Sequence, residues 1–183
     1  MAPNWFIALP VPASPWFDHR FDPPSPAFRR CHPQDLHLTV AFLGAVTETQ
    51  ARAAFDRPLA WDQGAIAVGL GAIVPLGNPH RYSALSILLT LGHDRACSLL
   101  HQNQPHLLGT AGVPLDPRPP KPHITVMRPQ RHASHQDRQI GLTWAEGWDL
   151  SQTDPLLLRD IALYTWTDDR QTHLFEIVDR RPL

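Results

Sequence analysis

The chain has 183 residues, 43% of them hydrophobic and 18% charged, a composition that excludes a disordered protein and fits one globular unit spanning 1–183. A net charge of −1 excludes a general nucleic-acid coat, which needs many unpaired cations, but leaves room for a small phosphate site. Cys31 and Cys97 are too few for a disulfide framework and have no metal-ligand spacing. The opening "MAPNWFIALPVPASP" carries no basic leader, and the most apolar stretch, "AIAVGLGAIVPLG", falls short of the ~20 residues of a membrane span. A reducing cytoplasm and no membrane contact are the expectations.

"NWFIALPVP" predicts a strand ending at Pro10. Residues 10–33 hold seven prolines and read as a loop, with one helical turn near Trp16. Strand 36–42 alternates, with Leu36, Leu38, Val40 and Phe42 on one face and His37 and Thr39 on the other. Thr47 caps a short helix running to about Asp56. Residues 64–76 and 81–90 predict two strands separated by "GNPH". "HDRACSLLHQNQPHLLG" predicts a helix that Pro105 ends or kinks. "PHITVM" is a strand, and 133–148 a helix whose apolar content is Ile140, Leu142, Trp144 and Trp148. "LLLRDIALYTWT" and "THLFEIVDR" close the chain as a hairpin around Asp168 and Asp169. Helices and strands mix without a strict βαβ rhythm, which predicts an α+β fold with antiparallel sheets.

One pattern occurs twice. "HLTV" at 37–40 returns as "HITV" at 123–126, 86 residues later, and these are the only two H-x-T sequences in the chain. Each is followed by a helix and a two-stranded apolar stretch, so the two motifs occupy corresponding places in two copies of a small unit. In a strand, residues two apart point the same way, so His37 projects with Thr39, and His123 with Thr125. A single pair reads more readily as the polar face of a half-buried strand; two pairs point to chemistry.

Imidazole titrates near ~6.5, so one ring can be neutral while its twin is protonated. That combination suits attack on a phosphodiester: one ring takes a proton from water or a hydroxyl, the other supplies one to the leaving oxygen. Threonine hydroxyls can hold the nonbridging oxygens between them.

With these tetrads at this spacing, the chain resembles the 2H phosphoesterases, and within them the bacterial 2′-5′ RNA ligase and RNA 2′,3′-cyclic phosphodiesterase group. "FIALPVP" is similar to the family's opening strand, "LHLTVAFLG" to its first motif, "PHITVMR" to its second, and the closing hairpin ending in "RRPL" also fits. The resemblance implies a bilobal, pseudo-symmetric fold, two antiparallel sheets facing a central cleft with helices outside. It implies His37 and His123 as the catalytic pair, with His37 the acid and His123 the activator of water, and Thr39 and Thr125 as phosphate ligands. The implied reaction is metal-independent opening of an RNA or nucleoside 2′,3′-cyclic phosphate to a 2′-phosphomonoester, by a monomer acting on RNA ends or small cyclic-phosphate nucleotides. The reverse joining of RNA ends through a 2′-5′ bond, and a non-catalytic RNA- or nucleotide-binding module, are the alternatives. The sequence departs from the family in the proline-rich 10–33 stretch and at Asn4 and Trp5, where a basic residue is common.

Arg128, five after His123, and Lys121, two before it, are candidate phosphate contacts. Arg81 and Tyr82 are candidates for ribose or base, and Phe6 and Phe42 for stacking a base, against core packing for both rings. Arg29 and Arg30, before the first motif, could catch an RNA backbone, though most such pairs are just exposed charge. His132 and His135 have i, i+3 spacing, but no carboxylate or cysteine completes a zinc set, so no metal or cofactor is expected.

Overall fold

The computed structural model describes residues 3–183. The first strand, β1 (Trp5–Pro10), is followed through the proline-rich segment by a short β2 (Phe28–Arg30), then β3 (His37–Gly44) and helix α1 (Glu48–Phe55). Strands β4 (Ile66–Val68), β5 (Leu70–Pro75) and β6 (Leu85–Leu89) lead to helix α2 (His93–Ala111). The second half repeats the order with β7 (His123–Pro129), α3 (His135–Glu146), β8 (Leu156–Leu158), β9 (Asp160–Trp166) and β10 (Phe175–Pro182).

Every strand pairing is antiparallel. The order β10-β9-β1-β3 forms one four-stranded half, and β5-β6-β7 with β2 on the edge of β7 forms the other. The two halves meet at a single pair, Leu38 opposite Ile124. The hairpin following each motif strand pairs in the half that holds the other motif: β5 and β6 lie beside β7, β9 and β10 beside β1 and β3. Strands β4 and β8 pair with each other in a separate two-stranded ribbon. The α+β reading with antiparallel sheets therefore holds.

Helices α1 and α2 pack on each other; α2 rests on β3, and α3 lies against β5. Between them and the sheet lies the main core, in which Ile7, Leu9, Leu38, Val40, Ile124 and Val126 are fully buried. Helix α1 starts where expected, because Thr47 and Gln50 satisfy each other's backbone amides in a capping box.

Several expectations change. The 64–76 stretch is two strands, because Gly69 lies between β4 and β5 and directs them to different sheets. Helix α2 runs through Pro105 for 19 residues. Proline sits there on the solvent side, while Leu99, Leu100, Leu107 and Leu108 on the inner face are buried and outweigh the lost backbone bond. In α3 the buried residues are Gly141 and Ala145; Ile140 is exposed, and Trp144 and Trp148 lie against Phe21 of the proline-rich segment.

Gly141 is where α3 comes closest to the sheet. A side-chain carbon there would strike the Tyr82 hydroxyl and the Phe28 ring, neither of which is a flexible chain end. Alanine gains about 1 kcal/mol of helix propensity but overpacks this contact at a cost of about 1–3 kcal/mol. Gly141→Ala is expected to lower the melting temperature by about 2–4 °C, measured by calorimetry.

Candidate active site

Both motif histidines are the first residues of their strands. Each ring is fixed by the carbonyl two residues earlier: Nδ1 of His37 lies 2.6 Å from the Asp35 oxygen, and Nδ1 of His123 lies 2.7 Å from the Lys121 oxygen. A carbonyl can only accept, so Nδ1 carries the proton and donates in both rings. A neutral ring therefore keeps its lone pair on Nε2, which remains for chemistry.

The Leu38–Ile124 pair brings the two motifs together. Continued by one residue in each direction, its register sets His37 opposite Thr125 and Thr39 opposite His123. All four side chains share one face, while Leu38 and Ile124 point into the core with no exposed surface.

The two rings have unequal surroundings. His37 packs against Phe6, Phe175 and Tyr164, with ring centroids 4.7, 5.5 and 5.6 Å away. Burial pushes its pKa down to about 4; the Asp35 carbonyl pulls the other way, and the charges of Arg128 and His123 push it further down. His123 is lowered too, again chiefly by burial, against the Lys121 carbonyl and with Arg128 and Lys121 adding to the fall. Asp35 itself is buried, and its carboxylate accepts from the amides of Leu174 and Phe175, tying the start of β10 to the strand that carries His37. The hydroxyls differ likewise: Thr125 Oγ1 lies 3.1 Å from the buried Ser86 Oγ, whereas Thr39 pairs across from Ala8.

Strict alternation places Phe42 and Arg128 on the core face, and the structure places both in the cleft. In β3 the register slips between Ile7 and Ala8, so Val40 is an extra residue; in β7 it slips between Leu85 and Ser86, so Val126 is the extra one. Each bulge leaves two consecutive buried residues, Val40–Ala41 and Val126–Met127, and reverses the alternation beyond them. The expectation for Phe42 is corrected accordingly: it is 56% exposed.

His37, Thr39, Phe42 and Arg128 line a groove of about 880 Å³ together with Arg29, Arg131, Arg170, Phe6 and Trp166. No Asp or Glu is among its described lining residues, so a chain of net charge −1 concentrates four arginines there. Phe6 touches the groove but is only 2% exposed, enclosed by Tyr164, Phe175 and His37, so its ring has no free face for a base. His123 and Thr125 lie outside the lining of this groove, and a larger hollow of about 1310 Å³ that adjoins Tyr164 and Phe175 includes neither motif histidine.

The other sequence candidates lie elsewhere. Tyr82 is buried, donates its hydroxyl to the Arg138 carbonyl and serves to pack α3, which a strand-start reading could not reveal. Arg81 is exposed in the turn before β6, outside the groove lining. Lys121 contributes its backbone oxygen, and its side chain is exposed. Arg29 is not simply exposed charge: its guanidinium donates to the Arg170 and Gln171 carbonyls across the cleft. His135 stacks on His80, with Nδ1 of His80 3.3 Å from Nε2 of His135. Asp35, Ser86, Arg131, Trp166 and Arg170 had no sequence signal, because only the pairing of distant strands gives them a place.

No protein-family model matches the chain. It is 27% identical over 132 residues to the RNA 2′,3′-cyclic phosphodiesterase of Bacillus subtilis (strain 168), an alignment covering 69% of this chain and 71% of that protein. Its fold is similar to that of E. coli LigT complexed with 3′-AMP, with a TM-score of 0.72 at 19% identity over 100% of this chain and 99% of the other. TT0787 of Thermus thermophilus matches at a TM-score of 0.63 and 16% identity, over 98% and 97% of the two chains.

Because the folded protein holds His37 neutral, the unfolded chain binds the proton first as the pH falls. Stability from this group is complete above about 6.5 and is lost between there and about 4. His37→Gln is expected to flatten the pH dependence of unfolding free energy across that window relative to the unmodified protein, in urea titrations at pH 4–8.

Proposed function

We propose that the chain is a 2H phosphoesterase and that it hydrolyses RNA or nucleoside 2′,3′-cyclic phosphates to 2′-phosphomonoesters. One observation carries this reading: two imidazoles from corresponding strands, each with Nδ1 committed to a backbone carbonyl, present Nε2 beside two threonines on one face. The name of the Bacillus subtilis relative, an RNA 2′,3′-cyclic phosphodiesterase, supports the choice of a cyclic phosphate.

In the proposed reaction the cyclic phosphate lies between the rings, its nonbridging oxygens on the Thr39 and Thr125 hydroxyls and its charge answered by Arg128. Neutral His123 takes a proton from water through Nε2 as the water oxygen attacks phosphorus. The bond from phosphorus to the 3′-oxygen breaks in line with the attack, and protonated His37 gives its Nε2 proton to that oxygen. The phosphate remains on the 2′-oxygen. The pair finishes with the proton on the opposite ring and resets by exchange with solvent. The acid role of His37 follows the family resemblance; burial lowers this ring's proton affinity, so the charge of the bound phosphate must favour the imidazolium it donates from.

The product of an RNA ending in a cyclic phosphate, identified by phosphorus NMR, is expected to be the 2′-phosphate; a 3′-phosphate, or only joined RNA ends, would overturn the proposal. His37→Ala and His123→Ala are each expected to lower kcat by about 10²–10⁴-fold. Both free rings titrate below the ordinary range, so kcat/KM is expected to peak below pH 6.5. Bound phosphate favours the imidazolium, so kcat is expected to peak at higher pH than kcat/KM.

A further inference from the structure

Asp35 bears on His37 through both its backbone and its side chain. Its carbonyl oxygen accepts from Nδ1 of the ring at 2.6 Å. Its carboxylate accepts from two consecutive amides, Leu174 at 2.8 Å and Phe175 at 3.0 Å, which lie 139 and 140 residues away. These amides stand where β10 begins, and Phe175 sets its ring edge-on to the imidazole, at 88° with 5.5 Å between centroids. The residue is only 3% exposed, and a buried carboxylate is tolerated where such bonds to its charge are made.

The other half is built differently at the same place. Lys121, two residues before His123, gives that ring the same carbonyl anchor while its side chain is exposed. The backbone anchor is thus common to both motifs, and the carboxylate clamp is found beside His37.

We propose that Asp35 is a positioning residue for His37: its carboxylate holds the start of β10 so that the ring stays walled from water and Nε2 stays aimed into the cleft. The proposal rests on the acid–base reading for what the aimed nitrogen does. Asp35 does not meet the substrate itself, since its carboxylate is turned to β10 and it lines neither hollow. Releasing the clamp has two consequences. Water reaches the ring and removes the desolvation that depresses its pKa. The carbonyl also loses its fixed direction, so Nε2 strays from the line of the leaving oxygen, a misalignment that costs about 10- to 100-fold in rate.

The groups around His37 give the outcome a sign. Those that titrate or carry charge are Asp35 beside it, Tyr164 on β9, and Arg128 and His123 on β7; β1 and β10 present the rings of Phe6 and Phe175. Losing a negative charge nearby lowers the pKa of an imidazole, whereas losing the wall raises it.

NMR titration of His37 in the substrate-free, isotope-labelled protein tests this. In Asp35→Ala the pKa is expected to rise from about 4 towards the ordinary ~6.5. Asp35→Asn removes the charge but keeps an oxygen for the two amides, and is expected to leave the ring near its starting value. Phe175→Ala takes away the wall and spares the clamp, and is expected to raise the pKa as Asp35→Ala does. Should Asp35→Ala fail to fold, these last two variants decide. A pKa that stays or falls in Asp35→Ala, a change as large in Asp35→Asn, or no rise in Phe175→Ala overturns the proposal.

On a cyclic-phosphate substrate, kcat of Asp35→Ala is expected to fall about 10- to 100-fold with KM little changed, although more of its His37 is protonated at mildly acid pH. Asp35→Asn is expected to recover most of that loss, and an undiminished kcat in Asp35→Ala overturns the proposal. If the unmodified protein hydrolyses no cyclic phosphate, the hydrolytic reading fails on its own, and the titration still decides for or against the clamp.

Discussion

The site depends on where β3 lies along β7. Their contact is one residue pair, Leu38 against Ile124, and both side chains are completely buried. Strand side chains alternate with period two, so a slip of one residue would carry the histidines and threonines into the core and push the aliphatic residues out. Burial of Leu38, Val40, Ile124 and Val126 therefore holds the polar face in register as firmly as the core itself is held. No hydrogen bond between the two polar pairs is needed to bring them together, and the hydrophobic effect does this from the reverse side of the sheet.

On this symmetric frame the surroundings are unequal, and the inequality gives a route to two roles. Both rings use the same anchor, a carbonyl two residues back. Asp35 additionally binds the start of β10 with its carboxylate, holding Phe175 against His37, whereas the Lys121 side chain stays exposed. One ring is thus walled by aromatics and the other is more open. Unequal desolvation of two like groups separates their proton affinities. Ala8 and Ser86, facing the two threonines, extend the difference to the hydroxyls.

What the sequence could reveal follows from which interactions are local. The N-cap at Thr47, the strand at His37 and its counterpart at His123 are written in neighbouring residues and are found where expected; the closing hairpin forms from β9 and β10, while residues 156–158 of its expected first arm pair with β4 instead. The two pairs were legible because period two is a property of a single strand. The bulges were not, because an extra residue is defined only against a partner strand, and neither Val40 nor Val126 looks unusual by itself. The same holds for β2, whose three residues read as loop until β7 pairs with them, and for Tyr82, whose hydroxyl is spoken for by a carbonyl 56 residues away. The helix does not end at Pro105, for the converse reason: a strong local rule yields when the proline faces solvent and two pairs of leucines hold the helix down.

The crossed connectivity has a consequence for how the site comes into being. β3 gains its neighbours from β1 and, beyond it, from β9 and β10, and the wall beside His37 includes Phe175, held by Asp35 across 140 residues. β7 is flanked by β6, from the other repeat, and by β2, from near the start of the chain. Neither repeat can therefore complete its own half of the cleft, and each motif strand lacks its hairpin until the far part of the chain arrives. Such non-local pairing is slow to form, since loop closure must precede the contacts that reward it. In return, the two imidazoles are brought to one face only in the fully assembled molecule. Their spacing is then set by the sheet that joins the halves, not by a loop free to move between them.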